Sequence, residues 1–224
     1  MWLKNSSVGR KVVMSLTGLA LILFLTFHMA MNMVALFSGD AYNAICEFLG
    51  ANWYALVATV GLAALFVLHI VYSIWLTLQN QKARGNEKYA VVERRKTVKW
   101  GSQNMFVLGA VVLGGLAIHL YNFWYKMQFQ EILGNSTFEG VSTHNGAAFI
   151  AETFANPVYS AIYIVWLVAL WFHLTHGFWS ALQSLGLSNK IWINRWRVVS
   201  NVYSTVLVLG FASVVVVFFM KSLM

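Results

Sequence analysis

The sequence has a single cysteine, Cys46, among its 224 residues. One cysteine excludes an intrachain disulfide, a cysteine-rich zinc site and the C-x-x-C-H motif that attaches haem covalently. Any haem that this chain binds is therefore held without a covalent bond to the protein.

Charged residues are also scarce, at 10% of the chain, compared with about 25% in an average soluble domain. Apolar residues make up 59%, and the mean hydropathy is +0.67. Stretches of roughly 20 apolar residues predict membrane-spanning helices. Five are present, at 12–37, 53–79, 99–125, 157–184 and 198–220. We therefore predict an all-α integral membrane bundle of five transmembrane helices that forms a single domain over residues 1–224.

Two segments outside this pattern were weighed as separate structures. The apolar part of the first stretch has about 26 residues, well beyond the roughly 7–15 of a signal peptide, so it is predicted to be a retained helix. The longest segment between stretches, 126–156, is too short to bury a soluble core of its own. A short helix is predicted within it, around 146–155.

The basic residues predict the orientation of the bundle. Thirteen of the 15 Lys and Arg residues lie in three segments, 1–11, 80–99 and 190–197. Since Lys and Arg accumulate in cytoplasmic loops, this distribution predicts a cytoplasmic N-terminus and an external C-terminus. The net charge of +8 is then explained by topology, and we expect no nucleic-acid partner. Five of the seven acidic residues fall on the opposite side: Asp40, Glu47, Glu131, Glu139 and Glu152.

Histidine is the one ionisable residue type inside the apolar stretches. Of the six histidines, His144 lies in the outer loop and is assigned no role. The other five lie in spans one to four: His28, His69, His119, His173 and His176. An ionisable residue inside a membrane is costly and therefore indicates function.

A helical rise of about 1.5 Å per residue places these histidines at two depths. Measured from the cytoplasmic ends of the spans, His28 lies at roughly 24 Å and His119 at roughly 30 Å. On the same scale, His69 lies at roughly 15 Å and His176 at roughly 12 Å, with His173 one turn deeper. Each level thus receives one histidine from each of two helices, with the choice between His173 and His176 left open.

Paired histidines at two depths are typical of two stacked haems, because imidazole suits iron and a macrocycle between helices takes one axial ligand from each side. A transporter, or a proton or metal path without haem, is the first alternative. It would normally include carboxylates within the membrane, and the spans contain none. A second alternative is a scaffold without haem that only anchors soluble enzymes.

The pattern resembles the di-haem cytochrome b membrane subunit of succinate dehydrogenase and fumarate reductase, of the single-subunit, five-helix type. The likeness covers essentially the whole chain and rests on four histidine-containing helices followed by a fifth without histidine. The matching segments are SLTGLALILFLTFHM (15–29), FVLHIVYSIW (66–75), GGLAIHLYNFW (114–124) and FHLTHGFW (172–179).

The resemblance implies two b-type haems and their axial ligands. His28 and His119 would bind the haem distal from the cytoplasm, and His69 and His176 the proximal haem. His176 is favoured over His173 because the family's ligand stands in a His-Gly pair, here His176-Gly177. Four residues are implied in the haem environment: Ser15, Gly177, Trp100 and Gln103.

The resemblance also implies a place in a respiratory complex of the bacterial cytoplasmic membrane. A flavoprotein subunit and an iron–sulfur subunit would bind the cytoplasmic face, and this chain would exchange electrons with membrane quinone, expected to be menaquinone. Glu47 is the nearest equivalent of an acidic residue that handles the quinol proton in some members. Some members also carry a glutamate two residues before the fourth-span histidine; Leu174 stands there, so that proton path is not implied.

Overall fold

The computed structural model describes residues 6–84 and 100–224. Most of the basic loop 80–99, which carries the orientation argument, lies outside the described residues, as do residues 1–5. The described chain is almost entirely helical, and five of its helical segments are long and apolar enough to cross a membrane. The predicted all-α class and the five spans are confirmed.

The elements follow one another along the chain with short connections. In order they are α1 (Ser7–Val34), α2 (Gly39–Phe48), α3 (Trp53–Arg84), α4 (Trp100–Gln103), α5 (Met105–His119), a π-helix (Leu120–Phe129), α6 (Gln130–Ile132), β1 (Thr137–Phe138), β2 (Val141–Ser142), α7 (Gly146–Ala155), α8 (Pro157–Ser184) and α9 (Trp192–Ser222). The five spans are α1, α3, the continuous segment Met105–Ile132, α8 and α9.

Local capping signals set the ends of the spans. Asn156 caps α8 by accepting a hydrogen bond from the backbone N–H of Val158 at 2.9 Å, and Pro157 occupies the first helical position. This span agrees with the predicted 157–184. The first span begins earlier than the predicted residue 12, because Ser6 accepts a hydrogen bond from the N–H of Gly9 at 2.8 Å and starts the helix there.

The spans pack around α8. Helices α1, α5 and α9 all lie along it, while α3 packs mainly against α1. Small residues permit the closest approaches, as expected where helices associate without a hydrophobic driving force. The side chain of Met29 lies over Gly210, and the Trp166 ring lies over Gly115. Many apolar side chains on the outside of the bundle remain exposed, as expected for surfaces that face lipid.

A cap of short helices covers one end of the bundle, here called the outer end; the end where α1 begins is the inner end. Helices α2 and α7 form the cap and are joined by the amide of Asn43, which donates to Asn145 Oδ1 and accepts from the N–H of Ala147, both at 3.0 Å. Helix α7 matches the helix predicted around 146–155. Helix α2 was not predicted, although Ser38 caps it in the usual way.

Candidate functional site: two histidine pairs inside the bundle

Two histidines from different spans meet in the outer half of the bundle. The ring centres of His28 on α1 and His119 at the end of α5 lie 5.7 Å apart, with the ring planes perpendicular. The depth estimate from the sequence predicts this juxtaposition. We refer to these residues as the outer pair.

Aromatic side chains surround the outer pair. Phe24 and Phe211 lie beside His28, with ring centres at 5.4 and 5.8 Å. Phe123 and Trp166 lie beside His119, at 5.1 and 5.7 Å, and Tyr163 follows at 6.2 Å. A flat aromatic macrocycle would therefore find aromatic faces on several sides of this position.

The π-helix begins immediately after His119. Extra-wide helical turns of this kind are often found at functional sites. Within it, the buried side chain of Asn122 donates a hydrogen bond to the Tyr163 hydroxyl at 3.3 Å. This bond ties the segment that follows His119 to α8.

A second pair of histidines meets in the inner half. The ring centres of His69 on α3 and His173 on α8 lie 6.3 Å apart. The Thr17 hydroxyl lies 3.3 Å from Nδ1 of His69, within hydrogen-bonding distance. The backbones of α3 and α8 do not pack closely together in the described chain, so these two side chains meet across an inter-helical space. We refer to His69 and His173 as the inner pair.

His176, which the resemblance assigns as the fourth ligand, lies one turn inward from His173. Its ring stands edge-on to Trp179, with ring centres 5.1 Å apart, and it interacts electrostatically with Arg197 on α9. The structure thus brings His173, rather than His176, against the ring of His69. The assignment of His176 remains a prediction.

The residues predicted to form the haem environment lie around the inner half. Ser15 is buried on α1, two residues before Thr17. A Cβ placed on Gly177 would meet nothing within 4 Å, so space is open beside His176. Gln103 ends the short helix α4, where its side chain is exposed, and the side chain of Trp100 lies outside the described part of the structure.

Glycines line both sides of the inner pair. A Cβ on Gly18 would lie 3.3 Å from Cε1 of His69, and a Cβ on Gly109 would lie 3.9 Å from Cε1 of His173. The missing side chain at Gly18 lets the His69 ring lie directly against α1. Glycine at these positions leaves helix backbone, rather than side chains, beside the histidines.

The geometry of the two pairs fits axial ligation of a haem iron. Histidine nitrogens bind a metal ion such as zinc at about 2 Å, so two rings on opposite sides of one metal keep their centres roughly 6 Å apart. The separations of 5.7 and 6.3 Å agree with that value. Nδ1 of His119 and of His173 is buried without a hydrogen-bond partner among the described residues, and such atoms call for a partner that the chain does not supply.

Hydrogen bonds connect the outer pair to the cap. The Asn32 amide donates to the backbone carbonyl of His28 at 2.8 Å and accepts from the Tyr42 hydroxyl at 3.1 Å. A further hydrogen bond joins Tyr42 to Cys46, which also accepts from the N–H of Gly146. Burial raises the pKa of the Tyr42 hydroxyl well above its usual range, and the neighbouring Cys46 raises it further. These groups therefore stay protonated at neutral pH.

The acidic residue predicted to handle the quinol proton, Glu47, lies away from the histidines. It is exposed on α2 and lines an open cleft of about 480 Å³ at the outer surface. A second carboxylate in this cleft, Glu131, is only 8% exposed; it accepts a hydrogen bond from the N–H of Ala51 at 2.7 Å and pairs with His144 at 3.3 Å. The sequence gave no signal for this ion pair, because its partners are 13 residues apart and separated by a hairpin.

The reactivity of Cys46 provides a test of the outer cap. Burial raises the pKa of its thiol from 9.0 to about 11. Because the thiolate is the reactive form, at pH 8 the folded chain should react with N-ethylmaleimide roughly 100-fold more slowly than an exposed cysteine, and the rate should still be rising at pH 9. The same chain unfolded in detergent serves as the control. Equal rates in the folded and unfolded chain would contradict the buried position.

No protein-family model, curated protein or solved structure matches this chain. Across residues 6–84 and 100–224, no group of three or more His, Cys, Asp or Glu side chains is arranged to hold a metal ion directly. The proposal below therefore rests on the two histidine pairs, the residues around them and the sequence resemblance.

Proposed function

We propose that this chain is a di-haem cytochrome b membrane subunit that transfers electrons between a soluble iron–sulfur partner and membrane quinone. The single observation that carries the proposal is the meeting of histidines from facing spans at two levels of one bundle. Bound there, two b-type haems would supply one-electron carriers at two depths. The likeness to the membrane subunit of succinate dehydrogenase and fumarate reductase supports the same function.

The chain's own residues would hold the two groups and exclude water from them. His28 and His119 bind the outer haem among aromatic side chains. His69 binds the inner haem from α3, opposite one of the two α8 histidines, His173 or His176. The Thr17 hydroxyl lies at Nδ1 of His69 and orients that ring, as partners of metal-binding histidines generally do.

The partners follow from the sequence resemblance. A flavoprotein and an iron–sulfur subunit would bind the inner end, which the basic residues of the sequence assign to the cytoplasm. The complex would reside in the bacterial cytoplasmic membrane and would interconvert succinate and fumarate on the flavoprotein. Quinone, expected to be menaquinone, would react near the outer haem, with Glu47 as the predicted proton-transfer residue.

A reduced-minus-oxidised absorption spectrum of the purified chain, with haem quantified per polypeptide, tests this proposal. We expect two low-spin b-type haems per chain. A folded chain without haem would refute the proposal and favour the alternative of a transporter, or of a proton or metal path. A scaffold without haem would give the same spectrum as the transporter but would tolerate leucine at all four predicted ligands.

A further inference from the structure

Two arginines stack on tryptophans in the inner half of the bundle. The guanidinium carbon of Arg10 lies 5.3 Å from the centre of the Trp75 ring, and that of Arg197 lies 4.8 Å from the Trp179 ring. Each stack joins two spans: the first links α1 with α3, and the second links α9 with α8. The aromatic faces hold both guanidinium groups in place by cation–π attraction.

Both stacks lie at one distance from the inner pair. Trp75 follows His69 by six residues on α3, and Trp179 follows His173 by six residues on α8. Six residues of helix correspond to about 9 Å along the axis. Since α3 and α8 both run from the outer to the inner end, both stacks lie on the inner side of the level at which the histidines meet.

The position of Arg10 on α1 agrees with this level. Thr17, which contacts His69, lies seven residues after Arg10, or two turns farther from the inner end, so both residues occupy the same face of α1. On the other side, Arg197 interacts electrostatically with His176. The two cations thus flank the inner half of the site from opposite helices.

The described chain supplies no carboxylate at this level. Its acidic residues all lie toward the outer end: Asp40, Glu47, Glu131, Glu139 and Glu152. Arg197 forms no ion pair with any of the described residues, and its Nε atom is buried without a hydrogen-bond partner among them. A buried cationic donor without an anion is unfavourable, so the site calls for an anionic group from a bound ligand.

We propose that Arg197 and Arg10 bind the two carboxylates of the inner haem, an assignment that rests on the proposed function. A b-type haem carries its two propionate carboxylates on one edge of the ring, and the two guanidinium groups lie on one side of the inner pair. The planar guanidinium fork matches a carboxylate with two parallel hydrogen bonds. The arginines thereby orient the haem with its carboxylate edge toward the inner end. A lipid phosphate would offer the same anionic chemistry.

A variant of Arg197, with haem forms that differ only in their carboxylates, separates these sources. The full chain is loaded with haem b or with haem dimethyl ester, whose carboxylates are blocked, and haem dissociation into apomyoglobin is followed by absorbance. The phase of the inner haem is identified in the His28→Leu variant. We expect Arg197→Gln to accelerate loss of inner haem b roughly tenfold, as for a lost charged hydrogen bond, and to leave the dimethyl ester unaffected.

Arg195 supplies a matched control, since it stacks on Trp192 at 5.0 Å in the same helix but is exposed. Arg195→Gln should leave both dissociation rates unchanged. Arg197→Lys keeps the charge without the fork, should fall between wild type and Arg197→Gln, and serves if Arg197→Gln does not fold.

Equal acceleration of haem b and its ester would overturn the assignment and point to lipid phosphate or helix packing as the role of Arg197. Equal effects of the Arg195 and Arg197 variants would also overturn it. A wild-type chain that takes up no haem would refute the proposed function itself, which is a different result from either of these.

Discussion

Replacing His69 with leucine is expected to leave one haem per chain instead of two. His69 is the only histidine on α3 and lies against His173 in the inner half, so its loss removes an axial ligand that no other residue of that helix replaces. The outer pair lies on α1 and α5 and should keep its haem. Haem per polypeptide, measured as the pyridine haemochrome, gives the stoichiometry directly.

The converse variants complete this prediction. His28→Leu or His119→Leu should remove the outer haem and leave the inner one, because these two histidines lie together at 5.7 Å and away from His69. The control is His144→Leu, which removes a histidine of the exposed outer loop and should retain both haems. Two haems in every one of the span variants would contradict axial ligation.

The same assay decides between the two histidines of α8. Only one of them can bind iron opposite His69, so one leucine variant should lose the inner haem and the other should keep it. Loss in His173→Leu would agree with the ring contact in the structure, and loss in His176→Leu would agree with the sequence resemblance. Retention of the inner haem in both variants would contradict ligation from α8.

Gly115→Ala is expected to destabilise the chain and to remove or loosen the outer haem. The Trp166 ring occupies the space that a Cβ at position 115 would need, and it is fixed there because its Nε1 donates a hydrogen bond to the Val112 carbonyl at 3.0 Å. Forcing a methyl group into a packed interface typically costs about 1–3 kcal/mol. Trp166 also lies 5.7 Å from His119, so its displacement would disturb that ring. Thermal unfolding and haem stoichiometry in detergent measure both effects.

Gly114 offers a control for this substitution at the adjacent residue. A Cβ at position 114 would meet nothing within 4 Å. Gly114→Ala should therefore leave the haem content unchanged and, because alanine favours a helix, should not lower the stability. Equal destabilisation by the two variants would show that the contact with Trp166 is not the cause.

Much of the architecture follows from local sequence patterns. The length and hydropathy of each apolar stretch predict a span, since a helix of this composition can satisfy its backbone polar groups and its side chains only in a membrane. The start of α8 was predicted to the residue, because Asn156 and Pro157 form a local capping signal. The start of α1 was missed by five residues because a charged segment containing Arg10 and Lys11 was read as lying outside the helix.

The histidine contacts show where such reasoning reaches its limit. A depth estimate along each helix brings His28 and His119 to one level, and the structure places their rings in contact. Depth alone does not distinguish His173 from His176, because they are one turn apart and differ in direction by only a fraction of a helical turn. Which of them lies against His69 depends on the rotation of α8 about its axis, which its packing against α1, α5 and α9 determines.

The sequence by itself determined that this protein is a helical membrane bundle with histidines at two depths, because hydrophobicity and helical rise are local properties of the chain. Only the tertiary structure decided that Glu131 meets His144, that Trp166 fills the space beside Gly115, and that Arg197 stacks on Trp179 near the inner pair. These contacts join residues on different elements. They depend on how the helices pack and rotate, which no local pattern specifies.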